Sequence, residues 1–127
     1  MPGDRRIVWA VSEMQRRMSE NVTITELARR VNLSRSRFAY LFREQTGLSP
    51  ARYLRDVRLG RARLLLETTF LSIKEVMAAV GFNDPSHFSR DFQHAFGASP
   101  REWRRRAPAS SVRHELDVPP KNRANRQ

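Results

Sequence analysis

The chain has 127 residues, enough for one compact domain or for two very small ones. Lysine and arginine number 24 against 13 acidic residues, so the net charge of +11 indicates a polyanionic partner, and no apolar run approaches the ~18 residues of a membrane span. The absence of cysteine excludes disulfides, thiolate metal sites and thiol chemistry, and it favours a cytoplasmic location.

The chain has only 5 glycines and no alternation of β-branched residues, which predicts an all-α fold. A packing helix is predicted in the N-terminal segment, because apolar residues recur at helical intervals at Ile7, Val11, Met14 and Met18. Trp9 lies off this stripe and is expected at the surface, where the helix could alternatively hold a partner.

The next segment carries the signals of two short helices joined by a tight turn. Thr23 and Glu26 have the spacing of a capping box, and Asn32 suits the left-handed backbone conformation that ends a helix. Ser34 then caps a second helix, whose buried face is predicted at Phe38, Leu41 and Phe42. Residues 5–48 are therefore predicted to form a first helix-turn-helix unit.

A long linking helix is predicted over residues 50–67. Ser49 can cap this helix, and Pro50 suits the first helical position. Roughly 18 residues make a rod of about 27 Å, close to the ~34 Å between successive major-groove openings on one face of B-DNA. Such a rod would set the distance between two DNA-reading units at its ends.

Arg58 interrupts the apolar line of the linking helix, which runs through Leu54, Ala62 and Leu66. A buried guanidinium needs hydrogen-bond acceptors, so Arg58 is expected to meet a carboxylate or helix-end carbonyls. Extension into solvent and a phosphate contact are the alternatives. Gly60 costs the same helix about 1 kcal/mol relative to alanine, and the sequence gives no reason for it.

The pattern of the first unit returns after the linking helix, and residues 72–105 are predicted to form a second helix-turn-helix unit. Ser72 and Glu75 have the spacing of another capping box, and Gly81 stands where Asn32 stood. At an offset of 50 residues, Phe38, Phe42, Gly47, Ser49, Pro50 and Tyr53 correspond to Phe88, Phe92, Gly97, Ser99, Pro100 and Trp103. This internal repeat predicts two equivalent helices that face one partner.

The stretch VGFNDPSHFSRDFQHAFGASPREWRR, from Val80 to Arg106, resembles the DNA-binding domain of the AraC/XylS transcription regulators. The resemblance covers about residues 7–105 and implies two homeodomain-like helix-turn-helix units over residues 5–106, and hence a sequence-specific regulator. Small stand-alone members of the family bind double-stranded DNA as monomers, with two reading helices in adjacent major grooves. The resemblance also implies that activation would run through RNA polymerase, and no cofactor is expected.

A reading helix needs polar side chains opposite its buried face and phosphate-pairing residues around them. In the second unit, Asp84 and Pro85 supply the cap and the first position of that helix. Phosphate contacts are predicted at Arg35, near a helix start, and at Arg43. Asp91 must accept from a cytosine, pair with an arginine, or stay clear of phosphate. Base contacts are predicted at Ser36, Arg37, Ala39, Tyr40, Ser86, His87, Ser89 and Arg90, of which the resemblance implies all but Arg37 and His87.

Two other classes of function remain open: a sequence-indifferent architectural DNA binder, and a module that chiefly holds a partner protein. No metal site is expected: of the three histidines, His87, His94 and His114, the first two lie seven residues apart on a predicted helix, and no cysteine or evident carboxylate supplies a third ligand. No enzymatic activity is expected either, since the sequence has no Gly-rich phosphate loop and no nucleophile elbow. Residues 107–127 lack periodicity and are predicted to be a disordered tail.

Overall fold

The computed structural model describes residues 3–107, in which the chain forms seven α-helices and no strand, so the predicted all-α class is confirmed. The helices are α1 (Arg5–Arg16), α2 (Ile24–Arg30), α3 (Arg35–Thr46), α4 (Pro50–Thr68), α5 (Ile73–Val80), α6 (Pro85–Phe96) and α7 (Pro100–Arg106). The linking helix, α4, ends one residue later than expected. Apart from Ala107, the predicted disordered tail lies outside the described residues.

Hydrogen-bonding side chains start the helices where the sequence predicts. The hydroxyl of Ser49 accepts from the backbone N–H of Arg52 at 3.2 Å, and Pro50 is the first residue of α4. The box at Ser72 and Glu75 is complete, since each side chain accepts from the backbone N–H of the other residue. Local hydrogen bonding therefore fixes where α4 and α5 begin.

The capping box predicted at Thr23 and Glu26 is wrong in its second half. The hydroxyl of Thr23 accepts from the N–H of Glu26 at 3.1 Å, but the Glu26 carboxylate accepts from the guanidinium of Arg17, also at 3.1 Å. The same guanidinium donates to Glu20 at 2.9 Å and to Glu13 at 3.5 Å. A charged donor binds a carboxylate more strongly than a neutral N–H does. This network therefore joins α1, the turn after it, and α2.

Each unit has its own apolar core, and α4 contributes to both cores. Phe38 and Phe42 are fully buried in the first core and Phe88 and Phe92 in the second, as predicted. Leu54 of α4 belongs to the first core. The second core takes Leu59, Ala62 and Leu66 from α4, each 52 residues after its counterpart Ile7, Ala10 or Met14 in α1. The helix α4 is thus the last helix of the first core and the first helix of the second.

The first helix differs from expectation in two respects. It ends at Arg16, so that Met18 lies in the following turn, where its side chain packs against the second core. Trp9 is half-buried instead of exposed, because its ring packs against the first core and the Arg30 guanidinium lies 5.5 Å from the ring centroid. An arginine stem and its charge can shield an aromatic ring that lies beside an apolar stripe.

Two arginines close the turns that follow α1 and α4. Arg58 donates from Nε to the Met18 carbonyl oxygen at 3.0 Å and from Nη2 to that of Glu20 at 3.2 Å, so the expected hydrogen-bonding partners are backbone carbonyls. Partial burial lowers the pKa of Arg58 from its ordinary value. In the second unit, Arg104 of α7 donates to the carbonyl oxygens of Leu66, Thr69 and Leu71. In each unit, an arginine that donates to backbone carbonyl oxygens therefore holds the turn after the first helix.

Candidate nucleic-acid interface

The solvent-facing side of α3 carries the residues predicted to read DNA in the first unit. Burial of Phe38 and Phe42 turns the opposite positions outward, and four of these are exposed: Ser36, Arg37, Tyr40 and Arg43. Ala39 is half-buried at the edge of this face. The Arg37 guanidinium lies 5.5 Å from the centroid of the Tyr40 ring, which holds a planar cation beside an aromatic hydroxyl. Both groups are suited to base edges and phosphates.

Arg35 lies at the start of α3, and its side chain is anchored to α2. Its Nη1 donates to the Thr25 hydroxyl at 2.9 Å. A guanidinium has five N–H donors, so this bond leaves capacity for a phosphate. The cap of the helix is neutral, because the Ser34 hydroxyl accepts from the N–H of Arg37 at 3.1 Å. The N-terminus of α3 therefore combines a neutral cap with a positioned cation, an arrangement that favours anions.

The second predicted reading helix, α6, exposes all four residues predicted to contact bases: Ser86, His87, Ser89 and Arg90. Its cap is the carboxylate of Asp84, which accepts from the N–H groups of Ser86 at 2.9 Å and His87 at 3.2 Å. These bonds, that to the His87 N–H above all, hold the pKa of Asp84 below its usual range. A negative charge thus occupies the position that Ser34 leaves neutral in the first unit.

The linking helix contributes a basic surface that the sequence reasoning missed. Asp91 of α6 shares a groove with three arginines of α4, Arg52, Arg55 and Arg63, and with Asp56, whose carboxylate lies 3.8 Å from Arg52. Arg55 and Asp91 also line a neighbouring cavity, together with Arg35 at the start of α3. Asp91 therefore lies among arginines, on the side of α6 that faces α4. The sequence displays these arginines, but only the packing of α4 against α6 shows that they face one groove.

Metal clusters and membrane spans are two features that residues 3–107 do not contain. No group of three or more His, Asp or Glu side chains in this range could hold a metal ion. None of the helices described is long and apolar enough to cross a membrane. The exposed arginines of α3 and α4 instead provide the chemistry that pairs with phosphate oxygens.

Comparison with known proteins identifies the same module. A family model described as a helix-turn-helix domain matches residues 27–106. The chain is 37% identical over 112 residues to the HTH-type transcriptional regulator CdhR of Pseudomonas aeruginosa, and 40% identical over 104 residues to the arabinose operon regulatory protein of Escherichia coli. These matches cover 85% and 81% of this chain but 33% and 36% of the relatives, so the chain spans about a third of their length.

The fold also matches that of a DNA-binding domain whose structure has been solved in complex with DNA. The DNA-binding domain of AdpA, a global transcriptional factor crystallised with a target DNA, superposes with a TM-score of 0.76 at 28% identity, over 88% of this chain and 97% of that one. The matched family and the named relatives are transcription regulators and not enzymes. The chain therefore belongs to the AraC-type helix-turn-helix family and carries the sequence-specific DNA-binding domain of a transcription regulator.

Proposed function

We propose that this domain binds double-stranded DNA as a monomer and inserts α3 and α6 into adjacent major grooves. The observation that carries the proposal is the presence of exposed helix faces at corresponding positions of two units joined by a single helix. With 19 residues, α4 is about 28 Å long, which is close to the ~34 Å repeat of B-DNA. A rod of this length suits two readers on one face of a duplex.

Base contacts are assigned to the exposed polar faces of both reading helices. Arg90 suits a guanine, because a guanidinium can donate to both O6 and N7, and the methyl group of Ala39 suits that of a thymine. The full set is Ser36, Arg37, Ala39 and Tyr40 of α3, with Ser86, His87, Ser89 and Arg90 of α6. The exposure of all but Ala39, which is half-buried, supports this assignment.

Phosphate contacts are assigned to Arg35 and Arg43, and we add Arg55 of the linking helix. Arg55 lines the groove between α4 and α6 and also the neighbouring cavity that reaches Arg35, where the DNA segment between the two half-sites would pass. Contacts of this kind fix the register and orientation of the protein on the duplex without reading its sequence. Activation of transcription would then require a contact between the bound domain and RNA polymerase, the partner that the family resemblance implies.

Selection of bound duplexes from a random DNA pool, followed by footprinting, tests the proposal. A monomer with two unlike reading helices should protect about two helical turns, with two different half-sites roughly 10 bp apart, centre to centre. Protection of a palindrome by a dimer would contradict this arrangement. Affinity for the selected duplex should exceed that for random DNA by ~10³ or more. A much smaller ratio would favour an architectural DNA binder.

A further inference from the structure

The joint between the two units consists of Arg58 on α4, the turn after α1, and the end of α5. Arg58 donates to the carbonyl oxygens of Met18 and Glu20 in that turn, at 3.0 and 3.2 Å. The Met18 side chain packs against the second core, although Met18 follows a helix of the first unit. The turn after α1 is therefore held by the linking helix and by the second unit at the same time.

Gly81 forms the other side of the joint. It ends α5 with a φ of +95°, and a Cβ added there would overlap the Met18 carbonyl oxygen and lie 2.9 Å from Arg58 Nε. Glycine avoids both the left-handed strain and this overlap. The backbone that leads from α5 into α6 is thus seated on a turn of the first unit, and Arg58 holds that turn in place.

We infer that Arg58 determines specificity without touching a base, by fixing the angle between the two units and so selecting the spacing between half-sites. This inference rests on the proposed insertion of α3 and α6 into adjacent grooves. One base pair added between the half-sites moves the second by ~3.4 Å and rotates it by about 35°. A loose joint could follow that displacement, whereas a fixed joint cannot.

Arg104 offers a matched control for Arg58. It closes the turn after α4 by the same chemistry, through hydrogen bonds to the carbonyl oxygens of Leu66, Thr69 and Leu71. These three acceptors lie at the end of α4 and in the turn that leads to α5, where Leu66 belongs to the second core and Leu71 packs against it, so none of them contacts the first unit through Arg104. Loss of Arg104 should therefore weaken the second unit without changing its angle to the first.

The test measures the affinity of the full chain for five duplexes: the selected site, the same site with one base pair inserted or removed between half-sites, and each half-site alone. The proteins are wild type, Arg58→Met, Arg58→Lys and Arg104→Met. In Arg58→Met, the ratio between the selected and altered-spacing duplexes should fall by about fivefold or more, the lower end of typical coupling between two sites. Arg104→Met should keep the wild-type ratio. Arg58→Lys keeps the charge but not the forked donor pair, so it should not restore the ratio.

Two results would contradict the inferred role of Arg58 and leave the proposed function intact. An equal loss of affinity on all five duplexes in Arg58→Met, restored in Arg58→Lys, would make Arg58 a phosphate contact. An unchanged spacing ratio in a variant with wild-type circular dichroism and wild-type half-site affinities would remove its role in the joint. Should Arg58→Met not fold, Arg58→Lys carries the same comparison. A random pool that yields no enriched sequence would instead overturn the proposed function, and the inference with it.

Discussion

The two helix-turn-helix units follow the same path but are stabilised by different chemistry. In the first unit, one guanidinium joins three carboxylates: Arg17 contacts Glu13, Glu20 and Glu26. In the second unit, five aromatic rings form a continuous cluster: Phe82, Phe88, Phe92, Phe96 and Trp103. What the units share is a capped start of each helix and two buried phenylalanines in each reading helix. The geometry of the motif depends on these shared features, while the surrounding stabilisation varies.

The two reading helices also differ in charge. Three arginines of α3 have uncharged or histidine counterparts in α6 at an offset of 50 residues: Arg35, Arg37 and Arg43 correspond to Pro85, His87 and Gln93. Asp84 adds a negative charge at the start of α6, where Ser34 caps α3. The first unit is therefore better suited to attract phosphates, and the second to read a small number of bases.

Truncation of a side chain in the aromatic cluster of the second unit should cause the largest change, a loss of unfolding free energy. The Phe92 ring lies within 6.2 Å, centroid to centroid, of three other rings, whereas Phe42 has two such neighbours. Removing a buried phenylalanine side chain costs about 3–5 kcal/mol of unfolding free energy, and each aromatic pair adds about 0.5–1.5 kcal/mol. Phe92→Ala should therefore destabilise more than Phe42→Ala in urea unfolding followed by circular dichroism. A larger loss for Phe42→Ala would mean that the extra rings add nothing beyond burial.

Sequence reading by the second unit is tested by Arg90→Ala. This change should cost about 1–3 kcal/mol of binding free energy on the selected duplex and much less on random DNA, because the lost bonds carry sequence information. Fluorescence anisotropy on both duplexes measures the difference. Equal losses would make Arg90 a backbone contact, and specificity would then come from the first unit or from DNA shape.

Charge attraction by the first unit is tested by Arg35→Ala at several salt concentrations. If about six phosphates are neutralised, wild-type affinity should fall about 10³-fold between 50 and 200 mM salt, with a log–log slope near −5. Arg35→Ala should weaken selected and random duplexes alike and reduce the slope by about one unit. A wild-type slope shallower than about −2 would indicate that the net positive charge does not serve DNA binding.

The linking helix can be compared with α1 through Gly60, whose counterpart in α1 is the exposed Val8. A Cβ at Gly60 would meet no atom within 4 Å, so Gly60→Ala should raise the unfolding free energy by about 0.5–1 kcal/mol. Gly60 also lines the groove that contains Arg55. If a DNA backbone passes there, the more stable variant should bind both duplexes less tightly. Stabilisation without any loss of affinity would place the DNA elsewhere.

The smallest expected effect separates two causes of a lowered carboxylate pKa. The Arg16 guanidinium is the main cause for Glu13, whereas the backbone N–H of Ser72 is the main cause for Glu75. Because folding lowers both pKa values, both groups stabilise the fold above the ordinary pKa of glutamate, and that contribution is lost as the pH falls through the folded-state values. Salt screens an exposed guanidinium, so added salt should raise the pKa of Glu13 toward its ordinary value in an NMR titration and shift that of Glu75 less. Equal shifts would refute the distinction.

The sequence was sufficient for features that depend on neighbours along the chain. Ser49 and Ser72 predict the starts of α4 and α5, because each side chain caps its helix by a local hydrogen bond. The repeated phenylalanines predict two corresponding cores. The Asn32 stop was also predictable, since asparagine tolerates the observed φ of +62°. In these cases the physical cause acts over three or four residues, a range that a sequence displays directly.

Features that depend on distant partners could not be predicted in the same way. The spacing of Thr23 and Glu26 predicts a capping box, but the Glu26 carboxylate instead accepts from the guanidinium of Arg17, nine residues earlier. The roles of Arg104 and Arg55 depend on how α4 packs against α7 and α6. The sequence around an arginine does not show whether its side chain is solvated, closes a turn or lines a groove.

The placement of α4 in both cores has a consequence for how the molecule folds and breaks. Leu54 is needed to complete the first core, and Leu59, only five residues later, is needed to complete the second. Cleavage between them would leave each half without one wall of its core, so neither half should survive as an independent fragment. The protein should therefore unfold in a single cooperative transition, and a protease that cuts within α4 should degrade both halves instead of releasing one intact reader.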